Sequence, residues 1–219
     1  MVKPRVIETD EGIQGEFTVE VYDKMMRHLR NKGWIETESV LKTGINRGRC
    51  LEIGPGPGYL GLEWLSKTEG TNLRALEISP DMIKMAEKNA AEYGLLDRVK
   101  YVKGDAQEMP FDDETFDGAF TNGSLHEWSQ PAKIFDEIYR CLKHGGKYMI
   151  SDMRRDMNPV FKWLLKLMTK PKEIKPGLVS SINASYTVQE IESILSKTNL
   201  KSATVKKTMM GFEITGEKL

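Results

Sequence analysis

The chain has 219 residues, and its 32 lysines and arginines balance its 32 aspartates and glutamates to a formal net charge of zero. This length suits one large α/β domain with small additions, and a neutral chain gives no general indication of nucleic-acid or membrane binding, although a local charged patch stays open. No apolar run approaches the roughly 20 residues that a membrane-spanning helix needs.

The amino-terminal segment predicts helices rather than an export signal. Residues 1–5 lead into an acidic stretch and lack the apolar core of a secretion signal, so we expect a cytoplasmic protein. Apolar side chains at helical spacing predict a helix over residues 18–32 and a shorter one over 36–41. We expect residues 1–45 to form a helical cap and residues 46–219 to form the main domain.

The segment that begins at Cys50 carries a strand, a glycine turn and the start of a helix. Cys50–Ile53 predicts a buried strand, a helical pattern opens at Tyr59, and between them stand Gly54, Gly56 and Gly58. Glycine tolerates positive φ and lets a ligand approach the backbone, and the first N–H groups of a helix point at the same place. This combination predicts a pocket for a nucleotide-containing cofactor.

Further strands alternate with helices, which predicts a parallel sheet with helices on both faces. The second strand, 73–78, carries Glu77 near its end, and Ser79 is placed to cap the next helix. The remaining predicted elements are strands at 99–106, 116–122 and 142–150 and a helix at 130–142.

Three patterns close the chain. Residues 159–170 predict a basic amphipathic helix, and Thr187 and Glu190 form a capping box at the start of another helix. Residues 203–208 and 211–216 predict two final strands. The two cysteines are expected to be buried thiols, and the three histidines are too scattered to suggest a metal cluster.

The order of these motifs resembles the class I S-adenosylmethionine-dependent methyltransferases over residues 48–152, and within them the broad small-molecule branch of quinone and sterol methyltransferases. The resemblance implies a Rossmann-like α/β fold. Its doubly wound, mostly parallel sheet has seven strands, six parallel and one reversed, and ends in an antiparallel C-terminal hairpin. A nicotinamide oxidoreductase would share the glycine pattern at 56–61 but leaves the later motifs unexplained.

The resemblance implies a site for S-adenosylmethionine, whose aminocarboxylate needs hydrogen-bond donors and counter-charge. N–H groups around Gly54, Gly56 and Gly58 are expected to supply donors. Glu52 matches the acidic residue that reaches the amino group in this family. The alternative for Glu52 is an accidental acid on a strand, but an unpaired carboxylate is costly at that depth.

The same resemblance assigns the nucleoside part of the cofactor. Glu77 is placed to accept hydrogen bonds from both ribose hydroxyls. Asp105 is expected to accept from the adenine amino group, with the Ala106 N–H facing a ring nitrogen. Met82 is expected to cover one face of the ring, although methionine at helical spacing is also typical of a core. Asn122 should place its backbone near the methionine portion.

Chemistry is expected after the fourth and fifth strands. His126 is the candidate general base, because its ordinary pKa lies near neutrality, and the alternative is that it only lines the pocket or bonds to backbone. Leu125, Glu127 and Trp128 are candidate substrate contacts. Arg154 and Arg155 could clamp an anionic substrate group, or they could form Arg–Asp pairs in a solvated loop.

Residues 153–185 are expected to form a lid-like insertion, because the family commonly inserts substrate-covering elements after the fifth strand. The amphipathic helix within it could instead form a dimer or partner surface, which leaves a homodimer open, or it could lie on lipid.

The sequence therefore predicts a methyltransferase that acts on a small-molecule acceptor. A neutral chain without a recognition domain disfavours nucleic acid as a partner. Two alternatives stay open, namely an enzyme that methylates a protein side chain or RNA, and a non-catalytic S-adenosylmethionine sensor or partner subunit.

Overall fold

The computed structural model describes residues 4–7 and 13–219. Its sheet consists of β1 (Arg49–Ile53), β2 (Asn72–Glu77), β3 (Val99–Lys103), β4 (Phe116–Asn122), β5 (Leu142–Met153), β6 (Thr204–Lys207) and β7 (Gly211–Glu217). The spatial order is β3-β2-β1-β4-β5-β7-β6. β1 to β5 pair in parallel, and β7 runs antiparallel to β5 and β6. The predicted fold, with six strands in one direction and one reversed, is confirmed.

Eight α-helices surround the sheet within the described residues. They are α1 (Glu16–Asn31), α2 (Thr37–Lys42), α3 (Tyr59–Ser66), α4 (Pro80–Tyr93), α5 (Pro131–Cys141), α6 (Pro159–Met168), α7 (Lys175–Ala184) and α8 (Val188–Leu195). The helices predicted before β1 and β5, and the helix opening after the glycine turn, are confirmed with bounds that shift by at most two residues.

Hydrophobic cores lie on both faces of the sheet. On one face α5 and α8 bury Phe135 and Ile191, and on the other α3 buries Trp64. Neighbouring residues of β4 point to different faces, Ala119 to the first core and Phe120 to the second, because side chains alternate along a strand. The rings of Trp64 and Phe120 lie 5.6 Å apart.

Local capping explains where two helices begin. The Met82 N–H donates to Ser79 Oγ at 3.2 Å, which starts α4. At the start of α8, the Glu190 N–H donates to Thr187 Oγ1, and the Thr187 N–H donates to the Glu190 carboxylate at 2.9 Å. Both predicted caps are confirmed, and they satisfy N–H groups that a helix end leaves unpaired.

Two strands, β3 and β5, end three residues away from their predicted ends. β3 ends at Lys103, so residues 104–106 form a loop at the carboxyl edge of the sheet. β5 continues to Met153, beyond the predicted end at 150, because Asp152 and Met153 pair with β7. Residues 151–153 are therefore part of the sheet. The extension also brings the Asp152 carboxylate beside the segment after β4.

The amino-terminal helices lie against the main domain. α1 packs on α4, and α2 packs on α3; residues 1–3 and 8–12 of the predicted cap lie outside the described residues. Cys50 and Cys141 are both free and buried. Throughout the part of the chain that the structure describes, every helix is too short or too polar to cross a bilayer.

Candidate active site

A cavity lies at the carboxyl ends of β1, β2 and β4, with about 1070 Å³ of space that includes its open mouth. The end of an open α/β sheet is where such folds bind ligands. Predicted site residues that line the cavity are Glu52, Gly54, Gly56, Glu77, Met82, Asp105, Ala106, Asn122, Glu127 and Trp128. The structure therefore brings ten predicted residues together around one space.

The glycine turn shapes the wall between β1 and α3. Gly54, Gly56 and Gly58 have φ values of 62°, 54° and 87°, a region that favours glycine. Their N–H groups all donate within the protein, to Leu76 O, a Glu77 carboxylate oxygen and Pro55 O respectively. A ligand that accepts hydrogen bonds from these N–H groups would therefore have to compete with acceptors of the protein itself.

Gly58 does not share the position of the other two glycines. It lies outside the cavity lining, and a Cβ built on it would come within 2.7 Å of the Tyr101 hydroxyl. Gly58 thus permits close packing of the turn on β3, whereas Gly54 and Gly56 leave the cavity wall without side chains.

Glu52 is the most isolated carboxylate of the cavity wall. It is 2% exposed, and its Oε2 atom accepts no hydrogen bond from the described residues. Burial raises the pKa of Glu52 to about 8, while a backbone hydrogen bond from Gly61 lowers it and the nearby Glu77 charge raises it further. An unpartnered oxygen at this depth is costly, so the site is built for a positively charged or donating group.

Glu77 reaches across the end of β2 into the glycine turn. Its two oxygens accept hydrogen bonds from the Gly56 N–H at 3.1 Å and the Ser79 N–H at 2.9 Å. Burial raises the pKa of Glu77, although these backbone donors oppose the rise. The carboxylate is therefore held at the cavity edge between the first two loops.

The loop after β3 forms the far wall of the cavity. The Gln107 N–H donates to Asp105 Oδ1 at 2.8 Å, which fixes the turn that carries Ala106. Met82, 2% exposed, lines the same cavity from the first turn of α4. A carboxylate, a backbone turn and an apolar side chain thus meet here in the combination that a flat heterocycle with an amino group requires.

A chain of polar groups connects the ends of β4 and β5. Asn122 Nδ2 donates to Ser151 Oγ at 2.9 Å, and Ser151 Oγ donates to Glu36 Oε2 at 2.8 Å. Burial raises the pKa of Glu36. The chain ties the loop before α2 to the cavity floor, beside the lining residue Ile35.

His126 lies next to the cavity without lining it. The residue is 5% exposed, and its ring atom Nδ1 lies 2.9 Å from Asp152 Oδ2. The same oxygen accepts the His126 N–H at 2.7 Å. Asp152 therefore holds the short 3-10 helix, Leu125–Glu127, at both its backbone and a side chain.

Three predicted substrate contacts also lie outside the cavity lining. Leu125 is fully buried in the core beneath α5. Arg154 Nη1 lies 3.1 Å from Asp156 Oδ1, and Arg155 forms an ion pair with Glu190. Both guanidinium groups are thus committed to acidic partners within the protein.

Several lining residues were not predicted from the sequence as site residues. Tyr22 and Met26 reach the cavity from α1, and Ile35 reaches it from the loop before α2. A Cβ on Gly56 would lie 3.5 Å from the Tyr22 ring, and burial together with Glu127 and Glu77 raises the pKa of Tyr22. The helical spacing of Tyr22 and Met26 was visible in the sequence, but the surface that they cover was not.

Two described amino-terminal residues contact the loops around this space. Ile13 lines the cavity, and its carbonyl accepts from Ser79 Oγ at 2.6 Å. Arg5 donates to His126 O at 2.7 Å. Contacts of both segments are therefore with loops that border the cavity.

The charge of the lining is one-sided. Among the described residues, four carboxylates line the cavity, whereas no lysine, arginine or histidine does. The acids are Glu52, Glu77, Asp105 and Glu127. Such a lining favours ligands that carry positive charge or hydrogen-bond donors.

Comparison with known proteins gives consistent matches. Residues 51–150 match the family model described as "Methyltransferase domain". The sterol 4-C-methyltransferase strm-1 of Caenorhabditis elegans is 38% identical over 104 residues, which are 48% of this chain and 30% of that protein. The ubiquinone/menaquinone biosynthesis C-methyltransferase UbiE of a Geobacter species is 30% identical over 60% of this chain and 59% of its own length.

These curated relatives are each matched over less than two thirds of their own length. A crystal structure from Methanococcus maripaludis, of a protein assigned to the S-adenosyl-L-methionine-dependent methyltransferases, is similar over almost the whole fold. It superposes with a TM-score of 0.74 at 28% identity, over 94% of this chain and 97% of that one.

Proposed function

Because this chain belongs to the class I S-adenosylmethionine-dependent methyltransferases, we propose that it transfers a methyl group from S-adenosylmethionine to a small-molecule acceptor. The products are S-adenosylhomocysteine and the methylated acceptor. The observation that carries the proposal is the Glu52 carboxylate, which is buried in the cavity wall with an oxygen that no described residue satisfies. The ammonium of the cofactor would give it an opposite charge.

The cofactor fits the residues that line the cavity. Glu52 would hold its amino group, and Gly54 and Gly56 would let its aminocarboxylate approach the backbone. Glu77 would accept from the ribose hydroxyls, since a carboxylate can serve two neighbouring donors. A sulfonium cation also suits a lining that has four carboxylates and, among the described residues, no basic side chain.

We assign the adenine to the loop after β3. Asp105 would accept from the amino group, the Ala106 N–H would face a ring nitrogen, and Met82 would cover the ring. Asn122, tied to Ser151 at the end of β4, would border the methionine portion.

The acceptor would enter from the side of α1 and the segment after β4. Tyr22 and Met26 line the cavity from α1, and Glu127 and Trp128 line it from that segment. When bound, the cofactor supplies an electrophilic methyl group, so these residues mainly have to orient the acceptor and exclude water. We propose that His126 contributes to catalysis from the layer behind these lining residues. Asp152 holds its backbone and its ring there.

The division of the chain and its location also stay proposals. We propose residues 1–45 as a cap on a main domain at 46–219, supported by the packing of α1 on α4 and α2 on α3. Two free, fully buried cysteines suit a reducing, cytoplasmic setting.

A transfer assay tests the activity. The purified chain is incubated with methyl-labelled S-adenosylmethionine and an extract of the source organism, and the label is separated into small-molecule, protein and RNA fractions. We expect label in the small-molecule fraction, and Glu77→Ala should abolish most of it. Label in protein or RNA would instead favour a macromolecular acceptor.

Direct titrations complete the test. S-adenosylhomocysteine should bind, and NAD should not. Cofactor binding without label in any fraction would favour the sensor or partner-subunit alternative, and NAD binding alone would contradict the proposal.

A further inference from the structure

Helix α6 presents a continuous apolar stripe to solvent. The exposed fractions of its five members lie between 39% and 66%, and the members are Val160, Trp163, Leu164, Leu167 and Met168. Their spacing of i, i+3, i+4, i+7 and i+8 puts them on one side of a helix. Scattered exposed apolar residues are ordinary, but a contiguous stripe of this size marks an interaction surface.

The stripe belongs to a helix that is seated on the protein. Asn158 caps α6 by accepting the Val160 N–H at 2.8 Å. Phe161 and Leu165, one turn apart, are half-buried, and the Lys162 ammonium donates to the Arg155 carbonyl. The inward contacts are thus made by residues outside the stripe, and the stripe itself is left on the outer side.

Positive charge concentrates in the same segment of a chain that is neutral as a whole. Residues 159–175 contain five lysines and one glutamate, a local excess of four positive charges. Lys166 follows Trp163 by three positions and borders the stripe on the helix surface. Lys170 and Lys172 continue the charge just beyond the helix, and both are exposed.

A lid over the cavity would need α6 to face the cavity. Within the described residues, no member of the segment 153–185 lines that space. α7 packs on the 3-10 helix that borders the cavity, and α6 packs on α7. The segment therefore supports the cavity wall from outside, while its apolar stripe points elsewhere.

We propose that α6 docks this protein on the surface of a membrane that contains anionic lipids. The combination of a Trp- and Leu-rich face with flanking lysines is that of helices which lie in the interfacial plane. Lysine stems can lie along the apolar boundary while their ammonium groups reach lipid phosphates. A second copy of this chain would bring the same excess of lysines to the interface, where like charges repel, so the charge favours an anionic lipid surface.

Vesicle co-sedimentation of the full-length chain tests this docking directly. The probes are vesicles of phosphatidylcholine alone and vesicles with about one third phosphatidylglycerol. We expect binding to the anionic vesicles, little binding to the neutral ones, and a decline as salt rises from 50 to 500 mM, since the lysine contribution is screened. Absence of binding to anionic vesicles at low salt would overturn the proposal.

Substitutions locate the docking surface. Trp163→Glu with Leu167→Glu should weaken vesicle binding by about tenfold or more, because it puts charge into the inserted stripe. Lys166→Glu with Lys170→Glu should weaken binding to anionic vesicles and leave binding to neutral ones unchanged. The matched controls are Trp34→Glu, at another exposed tryptophan, and Lys197→Glu with Lys201→Glu, at other exposed lysines.

Both controls should bind vesicles as the unmodified chain does, and circular dichroism should show that every variant is folded. Equal binding by the Trp163→Glu, Leu167→Glu variant and its control would overturn the assignment to α6. Sedimentation velocity without lipid tests the remaining alternative, in which a second copy of the chain covers the stripe. A dimer that dissociates in this variant would assign the stripe to a second copy and overturn the membrane proposal.

Discussion

The backbone of Gly61 lies directly against the carboxylate of Glu52. A Cβ at Gly61 would come within 2.2 Å of Glu52 Oε2 and 2.4 Å of Leu73 Cδ2. Gly61 has no positive φ and stands inside α3, so the requirement for glycine is steric and not conformational. The carboxylate of Glu52 thus occupies the space that the Cβ of any other residue at position 61 would need.

Gly61→Ala should destabilise the protein and weaken cofactor binding. Alanine favours a helix by about 1 kcal/mol over glycine, but overpacking a core commonly costs about 1–3 kcal/mol, and here the clash should prevail. Urea denaturation and calorimetry with S-adenosylhomocysteine measure the two effects.

The matched control is Gly177→Ala in α7, where nothing lies within 4 Å of the added Cβ. It should be neutral or slightly stabilising and should leave cofactor affinity unchanged. Equal behaviour of the two variants would contradict the steric role of Gly61.

Binding of S-adenosylhomocysteine at pH 7 should release up to about one proton. Burial raises the pKa of Glu52 from its ordinary 4.5 to about 8, so free Glu52 is mostly protonated at that pH, and a nearby ammonium favours its ionised form. Calorimetry in phosphate and Tris buffers, which differ in heat of ionisation, measures the proton count. Glu52→Gln should make the observed heat independent of the buffer.

The raised pKa of Glu52 also predicts that the stability of the protein depends on pH. Because the folded pKa of Glu52 lies above its unfolded value, the native state binds more protons between about pH 4.5 and 8, and its contribution to stability declines as pH rises through this window. Glu52→Gln should flatten that decline in the ligand-free protein. A steeper decline in the variant would contradict the assignment.

Glu77→Ala should weaken S-adenosylmethionine binding by roughly 1–3 kcal/mol, the scale of hydrogen bonds to a charged group. The substitution also releases the Gly56 and Ser79 N–H groups that Glu77 now holds. Glu77→Gln should lose less affinity, because it keeps one acceptor oxygen. Unchanged affinity of Glu77→Ala would mean that the ribose lies elsewhere.

The sequence predicted the parts of the site that are local in the chain. Glu52 and the glycine turn are contiguous in the chain, and Glu77 follows Gly56 by 21 residues at the end of the neighbouring parallel strand. One strand–helix–strand unit therefore brings Glu52, Gly54 and Glu77 together. Caps such as Ser79 are equally local. Two such neighbouring loops suffice to define one wall of the cavity.

The rest depends on packing between distant segments. Gly58, in the turn after β1, packs against Tyr101 of β3. Tyr22 covers Gly56 from α1, a helix that precedes the sheet. Arg155 pairs with Glu190, 35 residues further along the chain. No spacing rule predicts such partners, because they are set by how helices settle on the sheet.

Arg155→Ala should reduce stability without raising KM for the acceptor. The Arg155 guanidinium holds the pKa of Glu190 at about 2 and also donates to Ser185 O at 3.0 Å. The Glu190 side chain is 41% exposed, so solvent screening limits the loss to about 1–3 kcal/mol. A raised KM with unchanged stability would instead support Arg155 as a clamp for the substrate.

Glu190→Gln provides the pH test of that ion pair. The folded pKa lies below the ordinary 4.5, so the pair stabilises the protein fully above about pH 4.5, and its contribution is lost as pH falls towards 2. Glu190→Gln should lower stability at pH 7 and shrink the difference from the unmodified chain as the pH falls. Urea midpoints between pH 7 and 3 measure it.

His126→Ala should slow turnover more than it weakens cofactor binding. The ring and backbone of His126 meet Asp152, and the segment that they anchor carries Glu127 and Trp128, which line the cavity and are proposed to contact the acceptor. Asp152→Asn should act in the same direction, because it weakens the same anchor. Kinetics and S-adenosylhomocysteine calorimetry on both variants measure the split, and the pH profile of kcat separates two roles. A general base would lose its acid limb in His126→Ala, whereas a positioning residue would lower the profile at all pH values, and equal turnover would remove His126 from the reaction.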